Sequence, residues 1–334
     1  MRRRVPAILA VLAVTACARP VERLSAEFFV MGGIPVHVTA WDVEERRFEL
    51  AVAACRRRIQ TIEASMSVYR ANSLASRANR GENVELDVDT AAVVRTALGV
   101  ARRTGGAFDP TVGPLVELWK AAGQDQRPPT SDDVAAACDL VGWERVLLSR
   151  DDPPRLSLVG GARIDLGGVA KGRAADAGLE VLQAHGVDRA LVELGGDLAL
   201  FDRSRVPRPF TIGIRHPLDG NRLLGRLQVA RGGVVTSGST ERFVEIGGER
   251  YGHIFDPRDG YPARGVLGAT VMAPTSAEAD AVATALMVLG LEAGLDLVAS
   301  DPDLEAILAI DDPSGPEGIR VEMSPGAAGL FSSP

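Results

Sequence analysis

Four stretches of the sequence carry residue types whose spacing suits chemistry on an anionic, planar substrate. The first is IDLGGVAKGRAAD, residues 164–176. An apolar run ends at Leu166, two glycines follow, and Lys171 comes one turn into a helical pattern. Glycines allow close approach to the backbone, and the free N–H groups of a helix N-terminus favour an anion. The spacing matches neither G-x-x-x-x-G-K-[ST] nor G-x-G-x-x-G. Alone, the stretch also reads as a tight strand–helix turn with a solvated lysine.

The second stretch is TSAEADAVATAL, residues 275–286. Thr275 followed three residues later by Glu278 is a capping-box pattern, so a helix starts near Ser276. Asp280 and Thr284 then share one helix face. A carboxylate buried there without a partner is costly, and the helix dipole returns only about 0.3–1 kcal/mol. A divalent cation with oxygen ligands would resolve that cost; an Asp280 facing water would avoid it. The third is HIFDPRDGYP, where His253 ends a strand before a turn built on Asp256-Pro257 and Asp259-Gly260. A structural imidazole is the alternative there. The fourth is GGAFDPTVGPL, residues 105–115, with the loop SVYRANS. Phe108 and Tyr69 could flank a planar ring and Asp109 could accept hydrogen bonds from it, or the aromatics could simply pack.

Positioning these residues requires a particular set of elements. Residues 26–41 read as two strands around Gly32-Gly33, and 43–67 and 89–106 as amphipathic helices. The segment from Val68 to Glu82 reads as loop, and 131–142 as a helix with a good N-cap. RLSLVGGARIDL reads as two strands joined by Gly-Gly. After a helix over 170–185, strands are expected at 189–201, 209–215, 223–230, 242–247, 250–255 and 267–273. A helix from 275 and a last strand, LEAILAI, follow. The Pro/Gly/Ser-rich residues 311–334 read as a loose tail. Helices cluster early and strands late without a βαβ rhythm, which points to an α+β fold.

The chain has 334 residues, 46% of them hydrophobic and 24% charged, in the range of an ordinary globular protein. Its pI of 5.3 speaks against a nucleic-acid partner. Of 37 basic residues only Lys120 and Lys171 are lysines. Residues 1–16 have the basic start and apolar run of a signal peptide. VTAC, ending at Cys17, resembles a bacterial lipobox. That resemblance implies a lipid on Cys17, a short linker over 17–25, and a membrane-anchored protein outside the cytosol, on the periplasmic side of the inner membrane. Cys55 and Cys138 read as free thiols.

Taken together and in order, MGG (31–33), SVYRANSLASRAN (67–79), GGAFDPTVGPLVELW (105–119), IDLGGVAKGRAAD, LVELGGDL (191–198), VVTSGSTERF (234–243), HIFDPRDGYP and ADAVATALMVLG (279–290) resemble the ApbE family of FAD:protein FMN transferases. The resemblance covers residues 26–310. It implies a mixed β core with flanking helices and two lobes, with the flavin between them. It implies magnesium-dependent transfer of FMN from FAD to a Thr or Ser hydroxyl of an acceptor protein, with release of AMP. It implies acceptors that are subunits of membrane redox complexes. Met31, Tyr69, Ala107, Phe108, Asp109, Asp165, Lys171 and Ile254 match flavin-contacting positions. Gly168, Asp280 and Thr284 match metal positions, and His253 matches the histidine that assists the hydroxyl. An imidazole, with an ordinary pKa of about 6.5, suits that task near neutral pH.

Three positions depart from the family pattern: Ala283 where some relatives have a second Asp, Ser239-Thr240 after TSG, and Glu193 where many have Asn. Two other readings fit the same residues. One is a magnesium-dependent FAD pyrophosphatase with water as nucleophile; the other is a flavin-binding lipoprotein without catalysis.

Overall fold

The structure, a computed structural model, describes residues 22–239 and 243–334. The expected leader, Cys17 and Thr240 lie outside the described residues. In chain order, β1 (Arg23–Val30) and β2 (Ile34–Trp41) form a hairpin and lead into α1 (Glu45–Met66). Next come α2 (Leu74–Asn79), β3 (Val84–Glu85), α3 (Val88–Arg103), α4 (Gly113–Asp125) and α5 (Ser131–Cys138). The short strands β4 (Val146–Leu148) and β5 (Arg155–Leu158) precede α6 (Gly167–Ala184). Five strands follow: β6 (Arg189–Leu194), β7 (Asp197–Asp202), β8 (Phe210–His216), β9 (Asp219–Val229) and β10 (Gly232–Gly238). The hairpin of β11 (Phe243–Ile246) and β12 (Glu249–Gly252) leads to β13 (Val266–Ala273) and α7 (Ser276–Ala299). The chain ends with β14 (Glu305–Asp311), β15 (Ile319–Met323), α8 (Pro325–Leu330) and β16 (Phe331–Ser332).

The frame is an eight-stranded sheet in the order β1-β2-β6-β7-β10-β13-β14-β15, antiparallel at every pairing. This is the expected α+β class. Alternation along each strand decides what covers each face. Val192, Ala199, Val235, Val271 and Leu308 face the core shared with α1, α6 and α7. Their strand neighbours Leu200, Val234, Met272 and Ile307 face the opposite way, onto the β8–β9 hairpin. A third, smaller core gathers around Trp119 of α4, with Leu115, Ile246 and Phe255. It joins α4 and α5 to the β11–β12 hairpin and forms the second lobe.

Several expectations change. Residues 311–334 are not a loose tail: β15 extends the main sheet beside β14, and β16 pairs with β9. Their Pro, Gly and Ser occupy turns and the start of α8, while Val321, Met323, Ala327 and Phe331 pack under the β8–β9 sheet. The linker expected over 17–25 gives way to β1 at Arg23. The loop after Val68 contains α2, capped by Ser73. Past Gly160-Gly161 the expected second strand is reduced to a single bridge, Arg163 to Val112. The 189–201 segment is the β6–β7 hairpin, and β10, absent from the expected strands, lies at the centre of the sheet. Cys55 and Cys138 are free thiols, and burial pushes Cys55 up to about 12.

Candidate active site

The site forms where α6 and α7 begin beneath the sheet. Leu166 starts α6 without a side-chain cap, and Asp165 Oδ1 instead accepts from Gly167 N at 2.8 Å. Asp165 N donates to the Pro110 carbonyl at 2.8 Å, tying the 105–115 turn to the start of α6. Asn79 clamps the neighbouring Ile164 through both amide atoms, at 2.8 and 2.9 Å. That clamp brings in the 67–79 segment and Tyr69, whose ring is 83% exposed with Lys120 Nζ 5.5 Å above it. Met31, in the β1–β2 turn, donates its N–H to Glu63 at 3.0 Å, and Glu63 also receives Arg70 at 3.1 Å. Hydrogen bonds thus tie together the segments that carry Met31, Tyr69, Phe108 and Asp165.

Gly168, Phe108 and Thr284 meet directly. A Cβ built on Gly168 would lie 3.1 Å from Phe108 Cε2 and 3.6 Å from Thr284 Oγ1. Thr284 Oγ1 is in turn 3.4 Å from Ser237 Oγ on β10. Ala107 and Phe108 are buried beside this point.

Asp280, four residues before Thr284, is only 2% exposed. It is not alone, as the sequence suggested. Lys171 Nζ lies 3.1 and 3.2 Å from its two oxygens, and Gly172 N donates to Oδ2 at 3.3 Å. The same ammonium lies 2.7 Å from Asp197 Oδ2, and Asp197 is also 2% exposed. Lys171, expected to line the flavin site, points between two buried carboxylates, neither of which would be tolerated there without a cation. Burial opposes the ammonium, but Asp280 and Asp197 overcome it and raise the Lys171 pKa. Burial first, and then Asp280, raise the Asp197 pKa, against the opposing pull of the Lys171 ammonium.

Asp109, expected to accept hydrogen bonds from a planar ring, is held by protein donors. Oδ1 accepts from Thr111 N and Oγ1 at 2.7 and 2.6 Å, and Oδ2 from Trp143 N at 2.8 Å. Its carboxylate braces the turn that presents Phe108, and its hydrogen bonds go to protein donors. Burial raises its pKa.

His253 is exposed in the bend that follows β12, and Ile254 is half-buried against the main core. The bend is fixed from two sides. Tyr251 and Phe255 flank Trp119 at ring distances of 5.1 and 5.9 Å, and Trp119 Nε1 donates to the Gly260 carbonyl at 2.9 Å. A Cβ on Gly252 would stand 3.7 Å from the carbonyl of Ser239, just past the β10 strand that carries Ser237. The second lobe thereby holds His253 at the same end of the sheet as Thr284.

Two of the departures from the family pattern can be placed in the fold. Glu193 alternates with Val192 and Leu194, so it faces away from α6 and α7. Ala283 is fully buried in the core. The sequence reading gave no role to Asp197, Asn79, Ser237 or Lys120. Asp197 carried one usable hint, since it follows Gly195-Gly196, whose positive φ values of 57° and 96° make a tight hairpin.

The residues fit an oxygen-liganded dication. Asp280 and Thr284 supply oxygens one turn apart, Gly168 leaves space beside Thr284, and a cation, the Lys171 ammonium, already sits against Asp280. Among the described residues no cluster of three or more His, Cys, Asp or Glu is arranged to hold a metal. A metal here would take its remaining ligands from substrate phosphate, as magnesium does.

Comparison with known proteins agrees with this architecture. The sequence model of the ApbE family matches residues 32–308. The chain is 30% identical over 336 residues to the FAD:protein FMN transferase of Haemophilus influenzae, covering 94% of this chain and 95% of that one. It is 36% identical over 244 residues to the FAD:protein FMN transferase of Treponema pallidum, covering 69% and 67%. The crystal structure of the ApbE protein from Thermotoga maritima superposes with a TM-score of 0.82 at 29% identity, covering 92% and 99%. The flavin transferase ApbE from Vibrio cholerae does so with a TM-score of 0.76 at 25% identity, covering 93% and 100%. With its full-length matches and its α6–α7 site in place, this chain belongs to the ApbE family.

Proposed function

We propose that this protein transfers FMN from FAD to a Thr or Ser hydroxyl of an acceptor protein, with magnesium bound, and releases AMP. The observation that carries the reading is the convergence of Asp280, Thr284 and Gly168 beside Phe108, with a cation already held at Asp280. Asp280 and Thr284 would hold the magnesium, with the Gly168 carbonyl as a further oxygen. The metal would neutralise charge on the pyrophosphate as its P–O bond breaks.

The chain's own residues do the positioning. Met31, Tyr69 and Phe108 surround the flavin, with Tyr69 exposed enough to stack on a planar ring. Asp165, fixed by Gly167 N and Pro110 O, contributes a rigid acceptor. His253 takes the proton of the attacking hydroxyl. The hydroxyl oxygen forms the new bond to the FMN phosphorus, the pyrophosphate bridge breaks, and AMP leaves with the bridging oxygen.

We infer further that Cys17 carries a lipid, that the protein works outside the cytosol at the inner membrane, and that its acceptors are subunits of membrane redox complexes. The lipobox-like VTAC supports this. The test incubates the protein with FAD, magnesium and candidate acceptor subunits, and reads covalent flavin fluorescence on a denaturing gel. Fluorescence on an acceptor that requires both FAD and magnesium is the expected result. AMP release with no labelled acceptor would mean hydrolysis instead.

A further inference from the structure

Asp197 lies outside the residues given a role above, yet it is the best-placed partner of Lys171. It opens β7, paired in register with Leu194 across the Gly195-Gly196 turn. Ala199 and Phe201, two and four residues on, belong to the core beneath α6. Asp197 therefore projects toward the same helix as they do, from a rigid backbone. Its Oδ2 is 2.7 Å from Lys171 Nζ, closer than either Asp280 oxygen. One ammonium thus faces two carboxylates that come from different elements.

We propose that Asp197 is a positioning residue that holds Lys171 so that Asp280 can serve a metal ion. The inference rests on the metal-dependent reading of this site. If Lys171 had only Asp280 as partner, a cation binding at Asp280 would strand a buried ammonium, and stranding one member of a buried pair is costly. With Asp197 in place, Lys171 keeps a short, charge-assisted hydrogen bond while Asp280 turns its oxygens to the metal. The ammonium then stays where it is and adds positive charge beside the pyrophosphate. Asp197 does this without touching substrate or metal.

The chain's unusual composition makes this measurable. Its only lysines are Lys120 and Lys171, so lysine-selective ¹⁵N labelling gives two side-chain ammonium signals, assigned with Lys120→Arg. Magnesium affinity is measured by isothermal titration on the full protein with FAD present. In the wild type, the Lys171 ammonium should stay protected from solvent exchange when magnesium binds. In Asp197→Asn, which keeps shape and removes charge, magnesium should bind roughly tenfold more weakly, and Lys171 should exchange rapidly once magnesium is added.

The proposal is overturned if Lys171 becomes solvent-exchanging in magnesium-bound wild type, a measurement that needs no folded variant. It is also overturned if Asp197→Asn binds magnesium within about twofold of wild type. Weaker binding with an unmoved Lys171 signal would equally overturn it, because Asp197 would then act on the metal directly. Failure of the wild type to bind magnesium in the presence of FAD is a different result. It would remove the metal reading itself.

Discussion

Lys171 Nζ sits 3.1 Å from Asp280 Oδ1 and 3.2 Å from Oδ2, joining α6 to α7 across 109 residues of sequence. The contact gives the buried Asp280 carboxyl a cationic partner. Asp280→Ala is expected to lower FMN transfer by about a hundredfold or more, on the scale of losing a charge-stabilising group. FAD binding should weaken less. Removing one member of a buried pair costs about 3–5 kcal/mol when the other is left alone, but Asp197 still holds Lys171, so the variant should fold. Chelating magnesium in the wild type should match the variant. Wild-type transfer by Asp280→Ala with the metal chelated would end the mechanism.

His253 tests the proton transfer. His253→Ala should lower kcat by about two orders of magnitude while the KM for FAD stays near its wild-type value. The imidazole sits in the bend after β12, braced by the Trp119 lobe, and not in the turns that carry Met31, Tyr69 and Phe108. Steady-state kinetics at saturating FAD decide the matter, and an unchanged kcat would remove His253 from the reaction.

Gly168→Ala separates space from stability. The added Cβ would stand 3.1 Å from Phe108 Cε2, so the ring must shift slightly. Overpacking costs about 1–3 kcal/mol, while replacing glycine by alanine in a helix returns about 0.8–1 kcal/mol. Thermal stability should therefore fall only modestly. Magnesium and FAD affinity should fall clearly, because the methyl enters the space beside Thr284. A variant with normal ligand affinity would show that this space is not used.

Asp176 gives the fold a pH dependence of its own. Its carboxylate accepts from Ser276 N at 2.9 Å and Ala277 N at 3.0 Å, so α6 caps the start of α7. Burial nevertheless pushes its pKa from 3.8 to about 6. The native state thus binds this proton more tightly than the unfolded chain does. The resulting stability is full below about pH 4 and is lost as pH rises through about 6, at most about 3 kcal/mol. Urea unfolding from pH 4 to 7 should show the wild type losing ground relative to Asp176→Asn. Parallel curves for the two proteins would refute this.

The long helices were legible in the sequence because local periodicity and capping specify them, whereas the short α2 and α8 were missed. Thr275 does accept from Glu278 N at 3.2 Å, and Asp280 and Thr284 do share the face that meets α6 and β10. Partnerships across long sequence separations were not legible. Nothing local to Lys171 says that it will meet Asp197, or that Asp109 will spend its oxygens on Thr111 and Trp143. The tail misled for a related reason. Its Pro, Gly and Ser mark turns, and the strands between them are recognisable only beside β14 and β9. The central strand β10 was overlooked because Gly232-Gly233 on one side and Ser237-Gly238 on the other leave only Val234, Val235 and Thr236 with a strand bias.

That same strand sets an unusual rule for how the sequence can vary. Successive residues of β10 serve different purposes: Val234 packs under the β8–β9 hairpin, Val235 under the helices, and Ser237 reaches Thr284. Exchanging one small residue for another leaves this division of labour intact. Adding or deleting a single residue would invert it, sending Ser237 to the wrong side along with every neighbour. The segment is thus fixed in length, and at Gly232 and Gly233, where a Cβ would meet the backbone of Ala273 and Ser276, fixed in residue as well.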